Sequence, residues 1–183
     1  MKQLFQKWNV LKVLGIFFED PRREFYLREI GRKAGVSAST AMRCLRLLER
    51  QGLVSYIRRK NGLYYAALRT PEFKALKVSA TVSRICSIGV ADLVKEKSAG
   101  LVSFLLFGSA AKGEDGLESD YDFVLIAAQS SVTSFDLADK LGREVNLKKF
   151  TISQWKEASR KNKAFYLDVL NNSICLIGEK PIV

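Results

Sequence analysis

Two apolar runs, Leu101–Phe107 and Tyr121–Ala127, flank the polar stretch GSAAKGEDGLESD, and this arrangement limits the chain more than any other feature. Each run has strand length and no polar alternation, the pattern of a strand buried on both faces. The first ends at Gly108-Ser109 and the second opens on Asp120 and Asp122. In an extended chain residues i and i+2 share a face, so the two carboxylates point the same way. Paired hard oxygen donors suit Mg²⁺ (or Mn²⁺), which keeps nucleotide phosphates bound beside it. Gly108 removes a side chain where a phosphate must approach, and Ser109 adds a hydroxyl at the start of an expected helix. The bland alternative is a polar loop between two strands.

The absence of histidine narrows the chemistry further. It excludes Ser-His and Cys-His dyads, histidine bases and histidine-containing metal sites. Cys44, Cys86 and Cys175 have no ligand spacing and are expected as buried free thiols. The N-terminal MKQLFQKWNVLKVLGIFF loosely resembles a signal peptide, but Lys12 interrupts its apolar core and no cleavage site follows. With no run long enough to span a bilayer, a cytoplasmic protein without membrane contact is expected.

Charge divides the chain. Residues 1–70 hold 15 Lys and Arg against 5 Asp and Glu, a net +10, whereas residues 71–183 carry only +1. A basic module joined to a near-neutral one points to a polyanion-binding unit attached to something else. Within it, Leu4, Trp8, Leu11, Leu14 and Phe18 repeat at helical spacing until Asp20-Pro21. A short strand is expected over Phe25–Leu27 and a helix over Arg28–Ala34, closed by Gly35. Ser37 then N-caps a second helix to about Arg50, with Gly52 as its stop. LVSYIRRKNGLYYAALR reads as a hairpin about Asn61-Gly62.

LREIGRKAGVSASTAMRCLRLLERQGLV with this hairpin resembles the winged helix-turn-helix of prokaryotic transcription regulators. The resemblance implies double-stranded DNA as partner. Ala41, Cys44, Leu45 and Leu48 fall on the inward face of the second helix, leaving Ser39, Thr40, Arg43 and Arg46 towards a groove. Arg58, Arg59 and Lys60 on the hairpin suit phosphate or minor-groove contact. A merely solvated basic face is the competing reading.

Thr70-Pro71-Glu72 opens another helix. The expected division is therefore a winged helix over 1–70, a helical connector over 71–99 with a kink at Gly89, and a third segment over 100–183. In that segment GSAAKGEDGLESDYD resembles the signature of nucleotidyltransferases of the DNA polymerase beta superfamily, especially the minimal ones. The matching residues are Gly108, Ser109, Ala111, Gly113, Ser119, Asp120 and Asp122. DLADKLG, REVNLKKFT, a Thr151-x-x-Gln154 capping box and FYLDVLNNSICLIG extend the likeness.

The resemblance implies an α+β protein whose C-terminal part is a small mixed sheet with helices on one side. It also implies metals on Asp120 and Asp122, and nucleoside triphosphate phosphates at Gly108, Ser109 and Lys112; a plain surface lysine is the alternative for Lys112. The family's third carboxylate belongs in the context LGREVNLKKF, where this sequence has Asn146. An amide brings no charge and takes no proton. Glu144, after a register shift, or Glu118 from the loop are candidate substitutes. Three readings stay open: a weakened domain that still binds nucleotide–Mg²⁺, an active enzyme rescued by Glu144 or Glu118, and a structural remnant. The first makes the chain a DNA-binding regulator, expected as a homodimer. The second makes it a transferase of nucleoside monophosphate onto a hydroxyl, in antitoxin fashion beside a partner toxin protein.

Overall fold

The computed structural model describes residues 9–60 and 62–183. The chain falls into two compact units, one ending at Lys77 and the other spanning Val78–Val183. Both mix helices with a sheet, giving an α+β protein.

The first unit contains α1 (Asn9–Glu19), β1 (Phe25–Tyr26), α2 (Leu27–Ala34), α3 (Ala38–Arg50), β2 (Val54–Arg59) and β3 (Gly62–Ala67). Gly35 takes the left-handed conformation (φ 64°) that ends α2. The Ser37 hydroxyl accepts the Thr40 N–H at 3.1 Å and caps α3, which starts at the next residue. Leu4, Trp8 and Asn61 lie outside the described residues. Within α1 the buried face is Val13, Leu14, Ile16 and Phe17, so the stripe through Leu11 and Phe18 marks its margin. These residues pack with Ile30, Leu45, Leu48 and Tyr65 into one core, where Phe17 meets Phe25 edge-on at 5.5 Å.

The strands pair in the order β1-β3-β2, all antiparallel. Arg59 pairs with Gly62, which places Gly62 in the strand rather than in the turn. Only glycine fits there: a β-carbon on Gly62, at φ 144°, would stand 2.6 Å from the Tyr26 ring.

The unit boundary falls within α4 (Pro71–Ser87), opened by Thr70 through its hydroxyl to the Phe73 N–H. The expected kink at Gly89 is a break. The chain turns there at φ 75° and restarts as α5 (Val90–Glu96).

The second unit continues with β4 (Ser98–Phe107), α6 (Gly108–Lys112), β5 (Tyr121–Ser130), α7 (Ser134–Leu141), β6 (Val145–Phe150), α8 (Ile152–Lys161), α9 (Lys163–Asn172) and β7 (Ile174–Gly178). The sheet order is β6-β5-β4-β7; β5 and β6 are parallel, and the other pairs antiparallel. The mixed sheet expected from the resemblance is therefore present, but helices cover both of its faces. Phe104, Leu106, Phe123 and Leu125 pack with Val90, Val94, Leu137 and Leu141 on one side. Leu105, Val124 and Ile126 pack with Trp155, Tyr166 and Val169 on the other. Both apolar runs lack polar alternation, so each strand needs cover on two faces. The Thr151/Gln154 capping box forms as expected, and the fully buried Trp155 donates to the Pro181 carbonyl at 2.8 Å.

Of the three cysteines, only Cys44 is buried. Cys86 is exposed and Cys175 intermediate, correcting the expectation of three buried thiols. Apolar neighbours in sequence did not put Cys86 on the inner face of its helix.

Candidate functional sites

In the first unit, α3 buries Ala41, Cys44, Leu45 and Leu48, leaving Ser39, Arg43 and Arg46 exposed and Thr40 half-buried. Ser37 ties the helix start together, bonding both the Ser39 and Thr40 hydroxyls at 2.9 Å. The predicted wing residues Arg58, Arg59 and Lys60 are all exposed at the hairpin end. They are not equivalent. Arg59 is gripped by Glu24, donating from Nε at 3.0 Å and from Nη2 at 2.7 Å, and its pKa is raised by that hydrogen bond. Its guanidinium also lies 6.0 Å from the Tyr64 ring centroid. Arg59 thus braces the hairpin against the segment before β1.

In the second unit, β5 places Asp122 beside Phe107 of β4 and Asn146 of β6. Asp122 is two residues from Val124 and shares its side of the sheet. Asn146 occupies the position of the expected third carboxylate. Its amide nitrogen donates to Asp120 Oδ2 at 3.1 Å and Asp122 Oδ1 at 3.3 Å. The β5–β6 ladder runs unshifted from Tyr121↔Val145 onwards. No register slip brings Glu144 to Asn146's place. Glu144 precedes the strand and is exposed, its carbonyl accepting the Tyr121 N–H at 2.9 Å; Glu118 is also exposed. Among the described residues, no three His, Cys, Asp or Glu side chains are grouped so as to hold a metal. Asp120 and Asp122 therefore have an amide for company where a third acid was sought.

Gly108 has φ 73°, and a β-carbon there would collide with the Asp122 carboxylate. The close approach expected at this glycine is thus already made by the carboxylate itself. Ser109 follows, half-buried, with its carbonyl accepting the Glu114 N–H. Lys112 reaches across to α9, where its Nζ lies 3.1 Å from Asp168 Oδ1. Asn172 and Lys112 together hold the Asp168 carboxyl below its ordinary pKa. Lys112 is engaged in a helix–helix tie.

Asp120, just before β5, and Asp122 within it offer two carboxylates, and the Asn146 amide oxygen becomes a third oxygen donor if the side chain rotates, a set that could hold one hard cation.

Three site-shaping residues escaped the sequence reading. Asp115 is 3 % exposed and pairs with Arg143 at 3.0 Å. Arg143 also donates to the carbonyls of Gly116 and Leu117 and lies over the Tyr121 ring at 4.8 Å, fastening the loop that leads into Asp120. An acid–base pair 28 residues apart leaves no periodic signal. Lys148, two residues after Asn146 on the same strand, lies 4.4 Å above the Phe165 ring.

Among solved structures the chain is similar to a crystal structure of a toxin–antitoxin with AMP-PNP, at 21 % identity and TM-score 0.38, covering 54 % of this chain and 74 % of that one. It is similar to a mutant of the toxin–antitoxin MntA-HpeT, at 20 % identity and TM-score 0.39, covering 50 % and 71 %. A third likeness is to the Thermotoga maritima IclR, at 22 % identity and TM-score 0.28, covering 68 % and 47 %. No curated protein matches the chain significantly. The family model described as the IclR helix-turn-helix domain matches residues 9–58. That match spans α1 to β2, and with the capped helix pair it makes the N-terminal part of this chain an IclR-type helix-turn-helix domain.

Proposed function

We propose that the chain is a DNA-binding transcription regulator whose second domain is nucleotidyltransferase-like, binds a nucleoside triphosphate with one Mg²⁺ (or Mn²⁺), and has weakened or no catalysis. The observation that carries this reading is Asn146 bonded to both Asp120 and Asp122. Two carboxylates suffice to hold one cation with its phosphates, whereas an amide cannot accept the proton of an attacking hydroxyl. General-base loss of that kind costs on the order of 10²–10⁴-fold in rate. A bound cation would supply phosphate-charge neutralisation. Asp120 and Asp122 would hold it, while Gly108 and Ser109 would border the phosphates. The alternative, active transfer to a protein or small-molecule hydroxyl beside a partner toxin, requires Glu144 or Glu118 to act, and neither is grouped with the two aspartates as a third metal-binding acid.

For the first domain, Ser39, Thr40, Arg43 and Arg46 would face the major groove, with Arg58 and Lys60 on the flanking phosphates. Arg59 would contribute charge while braced on Glu24. Palindromic operators pair with two-fold symmetry, so the working form would be a homodimer in the cytoplasm. Nucleotide binding would alter operator affinity only through different affinities for the two functional states.

Calorimetric titration of ATP, GTP, CTP and UTP with Mg²⁺ tests the second domain, using wild type and Asp120→Ala/Asp122→Ala. Metal-dependent binding lost in the variant supports the reading; binding of none of the four refutes it. Electrophoretic shift on genomic fragments tests the first, with binding expected to be lost in Arg43→Ala/Arg58→Ala.

A further inference from the structure

Asn146 and Lys148 are two apart on β6 and so share a face of the sheet. Asn146 lies opposite Asp122 in the parallel ladder, and Lys148 lies opposite Val124. The Lys148 ammonium sits 4.4 Å from the Phe165 ring centroid and 5.9 Å from that of Phe107, the residue paired with Asp122 on its other side. Asp120, Asp122, Asn146 and Lys148 therefore form one cluster on this side of the sheet, joined by the two Asn146 hydrogen bonds and with Phe165 of α9 beside Lys148.

Charge follows from this placement. Two carboxylates give −2, Asn146 gives nothing and Lys148 gives +1. A single divalent cation on the aspartates then leaves the cluster positive, which suits a polyphosphate. Ring faces attract the ammonium without competing for it as a carboxylate would, leaving its N–H donors available to oxygen ligands. Lys112, by contrast, already donates to an aspartate.

We infer that Lys148 is the phosphate-binding cation of this site, in the role the sequence pattern assigns to Lys112, and that it supplies positive charge that a second metal ion would otherwise bring. The inference rests on the nucleotide-binding reading above and deepens it: the ligand is the triphosphate moiety, held between one metal ion and one lysine.

The test is calorimetric titration of the four nucleoside triphosphates with Mg²⁺ into wild type, Lys148→Met, Lys148→Arg, Lys112→Met and Asp120→Ala/Asp122→Ala. Methionine preserves apolar packing on Phe165 and removes only the charge. Lys148→Met is expected to weaken triphosphate binding about tenfold or more, the worth of one charge-assisted contact. Lys148→Arg should stay within about threefold of wild type, and Lys112→Met within about twofold. Lys148 is exposed, and matching thermal melts would show that the variants fold. Wild-type affinity in Lys148→Met, with binding abolished in Asp120→Ala/Asp122→Ala, overturns the lysine's role and leaves the nucleotide site standing. Absence of triphosphate binding by the wild type overturns both.

Discussion

Gly108 lies directly against Asp122: no β-carbon fits at residue 108 without striking that carboxylate, and the backbone there is left-handed at φ 73°. Gly108→Ala is therefore penalised twice. The left-handed conformation alone costs an alanine about 1 kcal/mol, and the collision adds to it. A destabilisation of about 2 kcal/mol in urea unfolding is expected, with loss of Mg²⁺-dependent nucleotide binding as Asp122 is pushed aside. Unchanged stability and binding would show that the loop yields freely.

The Asp115–Arg143 pair should be among the costliest polar contacts to break in the second unit. Asp115 is 3 % exposed, while the Arg143 side chain is 16 % exposed and bonds two loop carbonyls as well. Arg143→Met takes the guanidinium away from a buried carboxylate, and about 3 kcal/mol of stability should go with it. Asp115→Asn in the same chain should restore part of the loss. Urea unfolding of the single and double variants measures both effects, and additive losses would argue against direct coupling.

These two relationships differ in how far the sequence announces them. Gly108 and Asp122 sit inside one motif, so local spacing suffices to flag both. The capping boxes at Thr133 and Thr151 are equally local, each written within four residues. Asn146 stands out in the sequence only through the family resemblance, and the ladder pairs it with Asp122. Arg143, Lys148 and Asp168 act across distances that periodicity does not encode. The partner of Lys112 lies 56 residues on, and that of Arg59 lies 35 back, in the segment before β1. Helices on both faces of the sheet follow from two apolar runs without polar alternation, whereas the family resemblance implies helices on one side only.

Acid should act on the start of α7 through Asp136. Its carboxyl is held down to about 2, first by the hydrogen bond from Lys97 at 2.6 Å and then by the Thr133 hydroxyl and N–H of the capping box. A depressed carboxyl pKa stabilises the fold above its unfolded value and loses that contribution as pH falls through the folded one. The stability gap between wild type and Asp136→Asn should thus be constant near neutrality and close between about pH 4 and pH 2. Urea midpoints across that range measure it. A gap independent of pH would mean that the carboxylate charge contributes nothing.

Asn146→Asp restores a third carboxylate at the edge where the amide now bonds Asp120 and Asp122. Without metal, two hydrogen bonds are lost and three like charges converge, which raises a carboxyl pKa and weakens the fold. The variant should melt about 4 °C or more below wild type in EDTA. With millimolar Mg²⁺ the order of gains reverses: a three-acid site binds the cation more tightly, so the variant should be stabilised by more than the wild type. A transfer assay with labelled nucleoside triphosphates and any acceptor found for the site should show activity rising in the same variant. Equal Mg²⁺ responses in the two proteins would mean that residue 146 does not reach the cation. The weak catalysis proposed for the natural chain would then need another cause.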